Sequence, residues 1–481
     1  MTTKRPGNWS GGRRAEKLLW GLVLFTLPVT SFRYYPDFFG TTQVKPLAFL
    51  PLAPYLLLAG LRILRERRFR WLSNLVPLGV FALIALLSTA HGWLLNPPPL
   101  FGITYGHRAL RAWLSFAIGL AFLVGALWAY ESEADLFWAL RWLYAGFLVA
   151  AIWGTLQVAA IRGHILPTDT LSRMQRTFSI NGLLPRRISG MAYEPSWFAE
   201  QLVILYIPWL AAALLSGKRL LRHWWLEALL LVWAGFLLLF TISRSGILVT
   251  LVAGASVSLL SLLLWGRQRL SADFLRRAWP RVLGGAAAVA LLLAAGFAWL
   301  MQINYFAALF HLKPGKTWVG YIVDIYAGPR LAYAWAAASL LERHPWLGVG
   351  LGASGFSIYD LLPEWSRTML PEIARHIAPV HRIFLNPKDM YVRLLAETGL
   401  LGFLAFMAFV LHTIGRSLFW WTQSGRAHRL LGIASLWIVV TILLYWFTQD
   451  SLTSPQVWLS LGTILALSAS PASKENAHEQ A

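Results

Sequence analysis

Apolar runs of about twenty residues recur from one end of this chain to the other, and each is long enough to cross a ~30 Å hydrocarbon core as a helix. In lipid the backbone must satisfy its own hydrogen bonds, which leaves helices and closed barrels. Barrels are built from short alternating segments rather than unbroken runs, so helices are expected throughout. Composition agrees: 57% of the 481 residues are hydrophobic and 13% are charged, against roughly a quarter charged in soluble domains. The chain reads as an all-α polytopic membrane protein.

Twelve spans are predicted, at about 18–31, 47–61, 72–90, 112–129, 139–160, 199–216, 225–242, 246–264, 282–302, 390–412, 430–447 and 455–470. The organisation that follows is a tail over 1–17, spans one to nine over 18–302 with a long loop at 161–198, a loop domain over 303–389, spans ten to twelve over 390–470, and a tail over 471–481. The first run follows a basic start and has no small-residue cleavage site, so it reads as a retained anchor. The absence of cysteine rules out disulfides, cysteine nucleophiles and thiolate metal sites.

A net charge of +21 invites a nucleic-acid reading. The cations do not form a continuous basic face, however. They are distributed among loops, where they report topology. Of the 42 Lys and Arg, 23 fall on the side of the N-terminus and 19 on the other, but 14 of those 19 lie in two long segments, 161–198 and 303–393. Short loops are the ones that obey the positive-inside rule. Both termini are therefore expected in the cytoplasm and the two long segments outside.

The segment 303–393 is too polar to span. It holds RLAYAWAAASLLERHP (330–345), with helical spacing, and then GVGLGASGFS (348–357), read as a flexible glycine-rich turn. It is expected to be a small helical extracytoplasmic domain between spans nine and ten. The 26 tryptophans mostly flank spans, as interfacial belts do, and no internal repeat stands out.

Four polar clusters fall on the outer side. PRRISGMAYEPS (185–196) contains Arg186, Arg187, Gly190, Glu194 and Ser196. SRSG (243–246) exposes Arg244 in a tight turn, and in GPR (328–330) Arg330 opens a helix. NPKDMYVR (386–393) places Lys388, Asp389 and Tyr391 at the mouth of a span. Arginines converging at one membrane face suit a polyanion, because the guanidinium fork binds phosphate bidentately and keeps its charge when partly desolvated. The bland alternative is that each snorkels to lipid phosphates or pairs with a nearby acid. Glu194 and Asp389 are the candidate bases, since a carboxylate in a partly dry site can be tuned toward neutrality; pairing of Glu194 with Arg187 is the competing role. His376 and His381 are further outer-side candidates for a base. Glu397, two turns inside its span, should be functional or paired, and a pairing role is favoured. There is no H-E-x-x-H and no acidic cluster suited to a divalent cation, so no metal site is expected.

In order, PRLAYAWAAASLLERHPWLGVGLGASGF and NPKDMYVRLLAETGLLGF, preceded by RISG and SRSG, resemble the O-antigen ligase and polymerase superfamily of membrane glycosyltransferases over roughly residues 180–410. The resemblance implies a cofactor-free, metal-independent transfer at the periplasmic face of the bacterial inner membrane. A glycan would leave an undecaprenyl diphosphate carrier for an acceptor hydroxyl, with inversion. The family's diphosphate-binding arginines map onto Arg187, Arg330 and Arg244. Ligases of the family carry His-Asn where this chain has Lys388 and Asp389. That departure favours a Wzy-type polymerase that uses Asp389 or Glu194 as base, with Lys388 as a further cation for the leaving diphosphate. The partners implied are undecaprenyl-diphosphate-linked glycans, the bilayer and a chain-length-regulating membrane protein, and no nucleic acid. The rivals are a ligase acting on lipid A–core and a transporter of lipid-linked glycans. A transporter would favour repeats and ionisable groups at mid-bilayer.

Overall fold

The computed structural model describes residues 11–35, 43–67, 72–269, 294–311, 315–377, 383–423 and 425–467. Among these the regular structure is helical, with three isolated bridges and no strand. Among the described residues seven helices are long and apolar enough to cross a membrane: Ser73–Leu95, Tyr105–Ala129, Glu133–Ile161, Pro195–Ser216, Trp224–Thr241, Met390–Thr422 and Arg426–Tyr445. Shorter or less apolar helices stand at four other predicted spans: Gly11–Thr26, Phe49–Glu66, Arg244–Arg269 and Pro455–Leu467. Most of the ninth, 282–293, lies outside the described residues, and its last turns are helical. An all-α polytopic membrane protein is the fold.

The sixth span, Pro195–Ser216, forms the axis of the bundle. Every residue from 198 to 213 is buried. A helix apolar all round belongs in the interior, and AEQLVILYIPWLAAA has no polar face to turn toward solvent. Its middle widens into a π-helical turn at Leu202–Tyr206, a local insertion that recurs near functional sites. It follows directly on two buried polar residues, Glu200 and Gln201.

The glycine-rich stretch after residue 345 is not the flexible turn expected from its composition. Residues 348–356 are buried, and the strap is bonded to the tenth span. Val349 and Gly350 amides donate to the carbonyls of Ala396 and Glu397, at 3.0 and 2.9 Å, and Leu400 N donates to the Pro345 carbonyl at 2.8 Å. Contact this close needs glycine. A Cβ on Gly348 would lie 2.6 Å from backbone atoms of Ala396 and Glu397, and one on Gly399 would lie 2.3 Å from the Trp346 backbone. Gly399 adopts φ 63°, ψ −171°, a region open in practice only to glycine, and it breaks Met390–Thr422 into two helical pieces. The glycine of E-x-G is therefore the point where the strap's backbone packs directly against the span.

The span itself runs to Thr422, well beyond the predicted 412. The polar stretch HTIGRS interrupts the apolar run after Leu411, but Arg416 reaches Asn74 at 3.4 Å and the apolar LFWW carries the helix on to Thr422.

Candidate functional site

The RISG segment is held from below by one buried glutamine. Gln157, in the fifth span, accepts from the Ser189 and Gly190 amides at 3.0 and 2.9 Å and donates to the Gly190 carbonyl at 2.8 Å. Gln175, from the short helix Thr168–Phe178, closes the network with Gln157 and Ser189. Gly190 has φ +54°, and a Cβ there would strike the Phe198 ring at 2.8 Å. The loop is thus a fixed platform rather than a free connection, and it aims the residues on either side of it.

Arg187 is half-buried and donates from Nε to the Thr241 carbonyl at 2.8 Å. Burial holds its pKa below the usual guanidinium value, and the cation of Arg244 acts in the same sense. The two arginines, 57 positions apart in sequence, therefore share one field. Arg244 lies over the Tyr305 ring, its Cζ 3.6 Å from the centroid, a cation–π contact. Glu194 also acts on Arg187; it accepts from the Ser196 hydroxyl and sits just before the buried Pro195 that opens the sixth span.

Beneath the arginines lies a second layer. The Tyr445 hydroxyl is buried beside the hydroxyls of Ser243 and Ser245, within the influence of the Glu200 and Arg330 charges, and Gly246 leaves room for it. Glu200 accepts from Ser454 at 2.8 Å and has Gln456 beside it. Arg330 is exposed and reaches across to donate to the Thr448 carbonyl at 2.6 Å.

The loop after Tyr445 links this layer to the mouth of the tenth span. Asp450 accepts from the Lys388 amide at 3.1 Å, and its carbonyl accepts from Arg393. Lys388 is exposed with φ +63°. Asp389 caps the helix, accepting from Val392 N at 2.9 Å. Burial pushes its carboxyl above the usual range; the amides of Val392 and Tyr391 oppose the shift, and the neighbouring Asp450 charge adds to it.

The structure thus brings Arg187, Arg244 and Glu194 together. Arg330 joins them through Tyr445, and Lys388 with Asp389 stands alongside on the 446–450 loop. Other residues singled out above are placed elsewhere. Arg186 is exposed, in a left-handed turn. Tyr391 donates to the Leu443 carbonyl at 2.7 Å and packs on Phe447. Glu397, 1% exposed, pairs with Arg393 at 3.0 Å and accepts from the Gly352 amide and the Ser354 hydroxyl at 2.7 and 2.8 Å. It fastens the strap to the span. His376 lies in the helix Pro371–Ile377, and His381 lies outside the described residues. Among the described residues no group of His, Asp and Glu could hold a metal ion.

Sequence reasoning passed over Tyr445, Glu200, Asp450 and Tyr305. Glu200 carried a readable signal: an acid next to a glutamine in an apolar run is functional or paired. Tyr445 carried none, because a tyrosine at a span end reads as an interfacial anchor.

Residues 229–407 match the family model described as O-antigen ligase, Wzy_C. The chain carries a domain of the O-antigen ligase/polymerase superfamily. Ser243, Arg244, Tyr305, Arg330, Lys388, Asp389 and Glu397 fall inside the Wzy_C segment; Arg187, Glu194, Glu200, Tyr445 and Asp450 reach the same end of the bundle from outside it. The match supports a membrane enzyme of the ligase/polymerase type that transfers glycosyl groups. No curated protein matches the chain.

Proposed function

We propose that the chain is a membrane glycosyltransferase that polymerises undecaprenyl-diphosphate-linked oligosaccharides at the outer face of the bacterial inner membrane. The observation that carries this is the two cations Arg187 and Arg244 acting on each other beside the buried Tyr445 ring, at one end of a bundle that carries a Wzy_C domain. Two guanidinium forks and a hydroxyl suit a diphosphate, and fixed cations in a partly dry site stabilise charge as it develops on a leaving group. Arg330 and the backbone of Lys388 bind the loop that follows Tyr445, at Thr448 and Asp450.

In the reaction, the acceptor sugar hydroxyl attacks the anomeric carbon of the donor. Asp389 takes the hydroxyl proton as the new C–O bond forms, and the bond from the anomeric carbon to the phosphate oxygen breaks. Undecaprenyl diphosphate leaves with its charge held by the arginines. The raised pKa of Asp389 makes its carboxylate a stronger base than an exposed aspartate, and the Glu194 charge favours the charged form of Arg187.

Purified protein in detergent, given short lipid-diphosphate-linked repeat units, is expected to yield a product ladder on a gel. Arg187→Ala and Arg330→Ala should abolish it. The family description favours a second reading: transfer of one glycan onto added lipid A–core without a ladder would identify a ligase. Passage of substrate across liposomes with neither product would remove both enzymatic readings.

A further inference from the structure

At the opposite end of the same helices, two short basic loops come together. The sixth span ends at Ser216 and the seventh begins at Trp224; the tenth ends at Thr422 and the eleventh begins at Arg426. Between them is an open cavity of about 650 Å³ lined by Lys218, Arg219, Arg426 and His428. In sequence these cations serve only as topology signals, and their convergence on one cavity is a property of the fold.

Four observations give the cavity a ligand chemistry. Its volume is that of a small-molecule site. Its charge is one-sided: Arg219 and Arg426 are exposed and make no ion pair among the described residues, whereas His428 meets Glu133 at 3.6 Å and stacks on Trp420, and Lys218 lies over the Phe137 ring at 4.9 Å. One wall is fixed in place. Buried Glu227 accepts from the Leu220 and Leu221 amides at 2.6 and 3.0 Å, and Gly217 closes the helix in a left-handed turn. Finally, Trp224 and Trp225 are more than half exposed beside the loop, and Leu215, Leu418 and Phe419 are exposed around it. Exposed tryptophans at a helix end mark the depth of lipid headgroups.

We propose that this cavity binds the phosphate headgroup of an acidic phospholipid, whose acyl chains lie along the exposed Leu215 and Leu418–Phe419 surface. Arg219 and Arg426 hold the phosphate, and the lipid bridges the sixth-to-seventh and tenth-to-eleventh connections. The site lies across the membrane from the arginine cluster and does not depend on the reaction proposed for it.

The full-length protein, stripped of lipid in a neutral detergent, is to be titrated with short-chain phosphatidylglycerol, short-chain phosphatidylcholine and inorganic phosphate. Binding is followed by native mass spectrometry and hydrogen exchange. Phosphatidylglycerol should bind, weaken with added salt, and protect amides at 217–223 and 425–429. The pair Arg219→Gln with Arg426→Gln should weaken it about tenfold or more. Arg343→Gln, exposed at the other end, should leave it unchanged. Equal binding by the doubly substituted protein, equal binding of phosphatidylcholine, or protection only outside the two loops would overturn the proposal. So would full protection by inorganic phosphate at matched concentration, which would assign the cavity to a soluble anion. The wild-type exchange measurement decides the matter even if the substituted protein does not fold.

Discussion

Asp389 carries two roles that a single substitution can separate. Its Oδ1 caps a helix, a function asparagine performs equally well, while its charge is what a base requires. Because the folded pKa lies above the unfolded one, the folded state binds this proton more tightly. Its burial therefore costs stability above the folded pKa, and the cost is relieved as pH falls through that value. Asp389→Asn should leave the thermal midpoint at neutral pH unchanged or slightly higher and abolish the ladder; a lowered midpoint with residual activity would reduce the residue to its cap. In the wild type, activity should fall as pH drops, with its inflection above the ordinary aspartate range. Tyr445→Phe tests the second layer. It keeps the ring in place against Gly246 and removes only the hydroxyl beside Ser243 and Ser245, so stability should fall by no more than about 1 kcal/mol while turnover drops about ten- to a hundredfold. Unchanged turnover would exclude Tyr445 from the diphosphate site.

At the scale of elements, the decisive contact is the strap packed against the tenth span at Gly399. Gly399→Ala places a methyl within 2.3 Å of the Trp346 backbone in a conformation reserved for glycine. The expected cost is at least about 2 kcal/mol, visible as lost expression or a lowered midpoint. Gly415→Ala, on the same helix with nothing within 4 Å of its Cβ, is the control and should be neutral. Glu397→Ala would strand the buried Arg393 cation, and losing one partner of a buried pair costs about 3–5 kcal/mol. Both changes act through the strap, so they should lower protein yield before they alter the activity of whatever folds.

Across the whole molecule, the arginine cluster and the basic cavity occupy opposite ends of one bundle. The cysteine-free sequence makes this testable without a background of native thiols. Tyr326→Cys, at an exposed position on the arginine side, should react with an impermeant maleimide added to intact cells. His223→Cys, at the far end, should react only after the membrane is opened. The reverse pattern would put the candidate active site in the cytoplasm and remove the periplasmic reading.

Helix content and the position of nearly every span were readable in advance, because hydrocarbon thickness and backbone hydrogen bonding impose one period on any chain that crosses lipid. The arginines were picked out in the sequence because cations against the topology signal need a reason; their place beside one another came from the fold. What tertiary structure alone decided was how these pieces meet. Arg187 and Arg244 share a field because Gln157 clamps RISG in place and the seventh and eighth spans turn beside it. Tyr445, Glu200 and Asp450 enter the site only through helices that are remote in sequence. The glycine-rich stretch is rigid because Glu397 and Gly399 receive it, not because of its own composition. Periodicity is a local property that one segment can declare. A site assembled from six segments depends on contacts between residues tens to hundreds of positions apart, and only packing determines those.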